Sequence, residues 1–245
     1  MPRMSRPVPD PPDVAEHGAQ GQTSQRRLYM QLLAMGDCLD ARPVVGALAA
    51  AGFEAVLYAD VHDPRGIALL TMHDDPTFFT DALRPVLLRE PFTTLTPKPQ
   101  FTMFGRTYAL GYEPDLEDTL QGRPRRTAMN PAWPWAVWYP LRRSGAFARL
   151  APDEQKAILR EHGVIGHSFG AADLGHDVRL ACYGLDTHDN DFVIGLMGKE
   201  LAPLSILVQT MRKTTQTSMY IDRLGPFLVG RKLWQSPATK EESKA

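Results

Sequence analysis

Apolar and polar positions alternate along the chain in an order that occurs twice. Positions 28–33 are rich in large apolar side chains and read as a strand. The stretch 41–51 (ARPVVGALAAA) reads as a short helix closed by Gly52, because glycine tolerates the left-handed turn that ends a helix. Strands are predicted at 53–58 and 67–72 around the turn 62–66 (HDPRG). A helix over 74–89 follows, with Phe78, Phe79, Leu83 and Leu87 on one face, and then a strand at 106–112. This order is β-α-β-β-α-β.

The second half has the same order. It predicts a strand at 135–141, a helix at 152–162 opened by Pro-Asp-Glu, a strand at 178–185, a turn at 186–190, a strand at 192–197, a helix at 204–212 and a last strand at 227–233. Tyr58 and Met72 bracket the first hairpin, Tyr183 and Met197 the second, each pair 14 residues apart. The repeat lies in element order, with few identities. An α+β chain of two such units fits two antiparallel sheets joined face to face, with helices outside. The expected organisation is a flexible tail over 1–25, a first half over 26–115, a linker loop over 116–133, a second half over 134–235 and a tail over 236–245. The first tail is rich in Pro, Gly, Gln and Asp and buries too little to offset ordering, and the last is polar. The whole stretch 90–134 is long for a connector and is expected to include functional loops.

Composition narrows the chemistry. The 245 residues carry a net charge of −1 and only 2 cysteines, Cys38 and Cys182. A near-neutral chain is a poor general binder of nucleic acid or of anionic membrane. Two cysteines make neither a disulfide framework nor a Cys-rich zinc site. No run of about 18 apolar residues predicts a membrane span. The first 25 residues have no apolar core of a secretory signal, so a reducing, cytoplasmic setting is the expectation.

The 7 histidines are then the main candidates for metal or acid–base work. His162, followed by Gly163, ends the predicted helix. It reads either as a helix-capping imidazole favoured by the macrodipole or as a metal ligand. His167 and His176 lie near it without a zinc-protease spacing. His62, His73 and His188 read as turn or capping residues. Arg179, on a predicted strand two residues after Asp177, is either a paired surface arginine or an anion-stabilising one. Trp133, Trp135, Trp138 and Tyr139 read as core or as cofactor contacts. Arg123, Arg125, Arg126, Arg142 and Arg143 make a local basic cluster, either a solvated rim or a site for carboxylates.

The motifs WYPLRR (138–143), REHGVIGHSF (160–169), VRLACYGLDTHDNDFVIGLM (178–197), VQTMRK (208–213) and GPFLVGRKL (225–233) occur in this order over about 100 residues. In this the second half resembles the chlorite dismutase family, which includes chlorite dismutases and bacterial coproheme decarboxylases. The family patterns are similar to YPxxK, HGxxGRxY and GxFxVG. The first half matches in element order only. The resemblance implies duplicated ferredoxin-like units, a dimeric α+β barrel-like pair of sheets, and a homo-oligomer, pentamer or dimer. It implies haem b as cofactor, or coproheme as substrate, with His162 as the axial iron ligand. Gln216 stands where the family places a glutamate acceptor for that histidine, which would weaken the electron push to iron. Arg179, or Asp177 if the alignment gap falls elsewhere, takes the distal position. Tyr139 matches the tyrosine of YPxxK and Arg143 its lysine, a propionate contact, while His167 replaces the arginine of HGxxGR. The implied activity is decomposition of chlorite or peroxide, with Arg179 holding the oxyanion. Coproheme decarboxylation through Tyr139 is the alternative within the family. A haem carrier or sensor without turnover, and a barrel that has lost haem, are the others.

Overall fold

The computed structural model describes residues 10–237. Its main strands are β1 (Tyr29–Gly36), β2 (Ala55–Asp60), β3 (Ile67–His73), β4 (Met103–Arg106), β5 (Trp135–Arg143), β6 (His176–Ala181), β7 (Phe192–Gly198), β8 (Ile221–Leu224) and β9 (Leu228–Gln235). The helices are α1 (Arg42–Ala51), α2 (Arg84–Leu87), α3 (Arg123–Ala128), α4 (Gly145–Ala148), α5 (Pro152–Ala171), α6 (Leu201–Met211) and α7 (Thr215–Tyr220).

In the first half the pairing order is β4-β1-β3-β2 and in the second β9-β5-β7-β6. Each half therefore orders its strands fourth, first, third, second, and every pairing is antiparallel. The expected pair of stacked sheets is one ring, because both edges are joined. β2 pairs with β9 over Asp60–Val56, and β4 meets β6 at the single bridge Arg106↔Ala181. Eight strands close in this way, with β8 continuing the β9 edge of β5.

Strand alternation sends one set of side chains inward. All eight ring strands contribute: Met30, Val56, Leu70, Met103, Trp138, Leu180, Val193 and Leu228 lie in one buried cluster, with Ala128 and Met129 from the end of α3. The interior is filled with side chains. The alternate residues face outward, where helices cover two separate apolar layers. Leu57, Leu69, Val44 and Leu48 pack in one, and Val137, Tyr139, Leu196, Leu204 and Leu207 in the other.

Both seams pass a glycine. A Cβ on Gly230 would stand 2.7 Å from Tyr58 Cβ, and one on Gly105 2.9 Å from Leu180 Cβ. The strands at each seam can approach only because these side chains are missing.

Several expected boundaries move. The predicted helix 74–89 is broken: a π-helical turn (Phe79–Leu83) runs into α2 at Arg84-Pro85, where proline has no N–H to continue the ladder. The same device, a π-helical turn (Asp118–Gly122) ahead of Arg123-Pro124, puts a helix into the expected linker loop. The strand expected at 106–112 lies earlier, at Met103–Arg106, and meets the expectation at Arg106 alone; beyond it the Glu113 carboxylate accepts from the N–H groups of Leu110, Gly111 and Tyr112 and curls the chain. The strand expected at 178–185 ends at Ala181, ahead of a turn in which the Asp186 carboxylate accepts from His188 and Asn190. Of the residues expected as a tail, 16–24 are docked. Glu16, nearly buried, accepts from Arg27 and Arg106 and from the Ala109 N–H. Residues 1–9 and 238–245 lie outside the described part.

Substituting Gly230→Ala at the seam is expected to destabilise the fold by roughly 1–3 kcal/mol, the usual cost of overpacking. Gly46→Ala, in the open face of α1 with nothing near its would-be Cβ, is expected to stabilise by about 0.5–1 kcal/mol. Denaturant melts of both variants check the pair; an unchanged midpoint for Gly230→Ala would refute the seam argument.

Candidate functional site

The outer layer of the second half holds the site. β5 writes both faces of its sheet: Ala136 and Trp138 enter the barrel, while Val137, Tyr139 and Leu141 face the helices. Opposite them runs α5, whose His162, Ile165 and Phe169 follow one another at helical spacing. Ile165 and Phe169 pack on the outer layer. This corrects the expected helix end at His162. α5 continues to Ala171 because that apolar stripe continues, and its packing outweighs a cost of about 1 kcal/mol for each interior glycine. His162 is therefore a mid-helix residue, and the helix-capping reading fails.

Between α5, the α6–α7 junction and β5 lies a narrow, partly open cleft. Tyr139, Leu141, His162, Val208, Met211, Arg212, Gln216, Thr217, Ile221 and Leu224 line it. His162 is half-buried, and its Nδ1 lies 2.9 Å from Thr214 Oγ1. Nε2 has Thr217 Oγ1 at 3.5 Å, the outer limit of a hydrogen bond. Burial pulls the His162 pKa below its ordinary value, and the Arg143 charge adds to that against an opposing pull from Glu161. The ring thus stays neutral to lower pH than a free histidine.

Tyr139 stacks on Phe227 at 4.7 Å between ring centroids. Its burial pushes the phenol pKa up, with the Asp177 charge adding to the shift, so the hydroxyl is protonated.

Gln216 lines the cleft but is not the partner of His162. With its amide oxygen turned toward Arg143 it accepts from Nε at 3.2 Å and Nη2 at 3.3 Å. The expected place of Gln216 on the histidine is taken by Thr214, two residues earlier. The only sequence signal for Thr214 is its helix-capping position ahead of α7. Arg143 lies between the Phe147 and Phe192 rings, at 4.8 and 4.5 Å, so its guanidinium is already engaged.

Arg179 does not line this cleft. It projects from the same outer face, in a row across the sheet: Tyr139 faces Ile194, and Ile194 faces Arg179. Arg179 Nε is held by Asp177 Oδ2 at 2.9 Å, and Arg123 holds the other carboxylate oxygen at 3.1 Å. These three line a second cleft with Tyr108 and Leu110. The two candidates for the distal position are thus a bonded pair on one face. The basic cluster disperses in the same way: Arg125 pairs with Glu54, Arg126 with Asp118 and Arg142 with Asp189. Of the other histidines, His167 is exposed on α5, and His176 bonds Asp173 at 2.8 Å and stacks on Trp133 at 3.6 Å. Among the described residues no group of three or more His, Cys, Asp or Glu side chains is placed to hold a metal ion. No helix among them is long and apolar enough to cross a membrane.

Residues 77–233 match the family model described as Chlorite dismutase. Among curated proteins none matches the sequence. Among solved structures, a heme-binding protein from Thermus thermophilus is similar over 94% of this chain and 96% of its own, at 18% identity and a TM-score of 0.67. A mutant chlorite dismutase from Candidatus Nitrospira defluvii, in complex with cyanide, is similar over 84% of this chain and 90% of its own, at 15% identity and a TM-score of 0.63. Chlorite dismutase from Candidatus Nitrospira defluvii in complex with imidazole gives the same coverage at 14% identity and a TM-score of 0.63.

A histidine with a depressed native pKa leaves the unfolded state binding more protons in the window just below pH 6.5, the ordinary value. Stability is expected to fall as pH drops through that window and to level off below the native pKa. His162→Gln is expected to flatten this part of the profile, read as urea midpoints against pH. An identical profile in the variant would contradict the burial of the ring.

Proposed function

The chain belongs to the chlorite dismutase family, and on that premise we propose that it binds haem in the cleft beneath α5, with His162 Nε2 as the iron ligand. The observation that carries this reading is a single neutral imidazole, anchored through Nδ1, at an otherwise largely apolar cleft between helices and sheet. The residues present fit the group. A neutral ring nitrogen is the form that ligates iron, and Leu141, Val208, Met211 and Leu224 offer apolar walls to a flat macrocycle. Arg212, at the cleft, supplies a cation for a propionate. A tetrapyrrole is larger than this cleft, so binding requires the cleft to widen.

The reaction that fits is oxidoreduction of a small oxyanion or peroxide, chlorite being the leading case. Bound haem would supply the redox chemistry. The chain's part would be to exclude water with the apolar walls, to hold the His162 imidazole as a ligand, and to hold the anion. Arg179 is the residue for the last task, because it shares the outer face with Tyr139 and its guanidinium is a permanent cation. Asp177 holds it meanwhile, so an anion must exchange with that carboxylate. One observation favours a second reading, oxidative decarboxylation of coproheme: the Tyr139 phenol lies at the cleft and stays protonated, ready to give up a hydrogen atom. In either reading the protein works as a homo-oligomer.

Titrating the protein with haem and then adding chlorite tests the proposal. A Soret band should form in the wild type and be lost in His162→Ala; the same band in that variant would remove the axial assignment. Oxygen evolution on chlorite should follow, and Arg179→Ala should keep the Soret band while lowering turnover roughly 100-fold, as for loss of an oxyanion donor. Equal rates would take Arg179 out of the mechanism. Coproheme and peroxide, followed by mass loss of the propionate carboxyls, decides for the second reading.

A further inference from the structure

We infer that Thr214 is the positioning residue of the site, and that its hydroxyl fixes His162 as the Nδ1–H tautomer with Nε2 bare. The argument is a count of hydrogens. A threonine hydroxyl has one proton and two acceptor lone pairs. Thr214 Oγ1 lies 2.7 Å from the Met211 carbonyl, one of the last carbonyls of α6, which have no partner inside their own helix. That oxygen can only accept, so it takes the hydroxyl proton. The alternative acceptor, Thr217 Oγ1, is 3.4 Å away. Toward His162 Nδ1, at 2.9 Å, the hydroxyl is then an acceptor, and the ring must donate. The second lone pair faces the Thr217 N–H at 3.4 Å and caps α7.

No charged group competes for Nδ1. The neighbouring Glu161 carboxylate accepts from the Thr215 N–H at 2.8 Å, and the Gln216 amide is engaged by Arg143. The acceptor on the imidazole is thus a neutral hydroxyl, and its own proton is committed elsewhere. A neutral acceptor makes the ring a weaker electron donor at Nε2 than a carboxylate would. Residues 161 and 162 on α5 are also tied by consecutive contacts to the α6–α7 junction, so the same hydroxyl sets ring orientation and closes one wall of the cleft. The geometry stands without a ligand; its consequence for iron rests on the haem reading.

The test uses the ¹⁵N-labelled full-length protein without haem, in long-range ¹H–¹⁵N spectra above neutral pH. His162 is expected to show a protonated Nδ1 and a bare Nε2 in the wild type and in Thr214→Ser. Thr214→Val, which keeps the shape and removes the hydroxyl, is expected to lose that preference. A wild-type His162 protonated on Nε2, or the same tautomer in Thr214→Val, overturns the assignment. If the valine variant does not fold, the wild-type tautomer and Thr214→Ser decide. Haem titration then separates the two readings. Thr214→Val should bind about 10–100-fold more weakly and Thr214→Ser within a few-fold of wild type; equal affinity in all three overturns the positioning role. A wild type with the expected tautomer that takes up no haem defeats the haem reading and leaves the tautomer assignment standing.

Discussion

Closure of the sheet into a ring is the constraint on which everything else depends. Eight strands with both edges paired leave an interior just wide enough for their own side chains. Trp138, Tyr58 and the methionines fill it. Among the described residues these side chains fill the interior, and the cleft with His162 lies on the outer face. Helices must cover that face, and the space between them becomes the cleft. The ring in turn depends on two close approaches, at Gly230 against Tyr58 and at Gly105 against Leu180. Both occur where one half meets the other, so the contact that joins the halves is made by backbone more than by side chains.

The site follows from alternation on one strand and a stripe on one helix. β5 gives Trp138 to the barrel and the next residue, Tyr139, to the cleft; a one-residue slip would exchange them. On α5 the stripe that buries Ile165 and Phe169 places His162 on the same side. The imidazole is then fixed by the α6–α7 junction, where the end of one helix and the cap of the next meet at Thr214. Loss of register on α5 or at the α6–α7 junction would remove the histidine from the cleft without touching the ring of strands.

Much of this is legible in the sequence. The apolar runs give seven of the eight ring strands in their order; the fourth, Met103–Arg106, is missed because four residues carry too short a pattern, and the strand expected at 106–112 meets it at one residue. What they cannot give is how the sheets join, because the seam at Arg106↔Ala181 is one bridge with no pattern of its own. The end of α5 is misread because Gly163 carries a stop signal that tertiary packing overrides. Tyr139 and His162 are found through short motifs and do share the cleft. Gln216 is misassigned because counting along the chain fixes a position to within about a residue or two, and α7 rotates each residue to a different direction. At that helix start, two residues separate Thr214 on the histidine from Gln216 on Arg143.

The charges on the outer face form a further argument about how an anion is held. These cations already have company: Arg143 has Gln216 and two aromatic rings, and Arg179 and Arg123 share Asp177. A monoanion arriving there must compete with a carboxylate that sits two residues away on the same strand and is therefore always at hand, with no translational entropy to lose. Arg179 by itself then gives weak anion binding. Tight holding requires a second attraction acting on the same anion, and in the haem reading that attraction is the iron. In that reading Arg179 and the metal would be effective only together, anion capture would be confined to the loaded protein, and Asp177 would keep the unloaded site closed to anions.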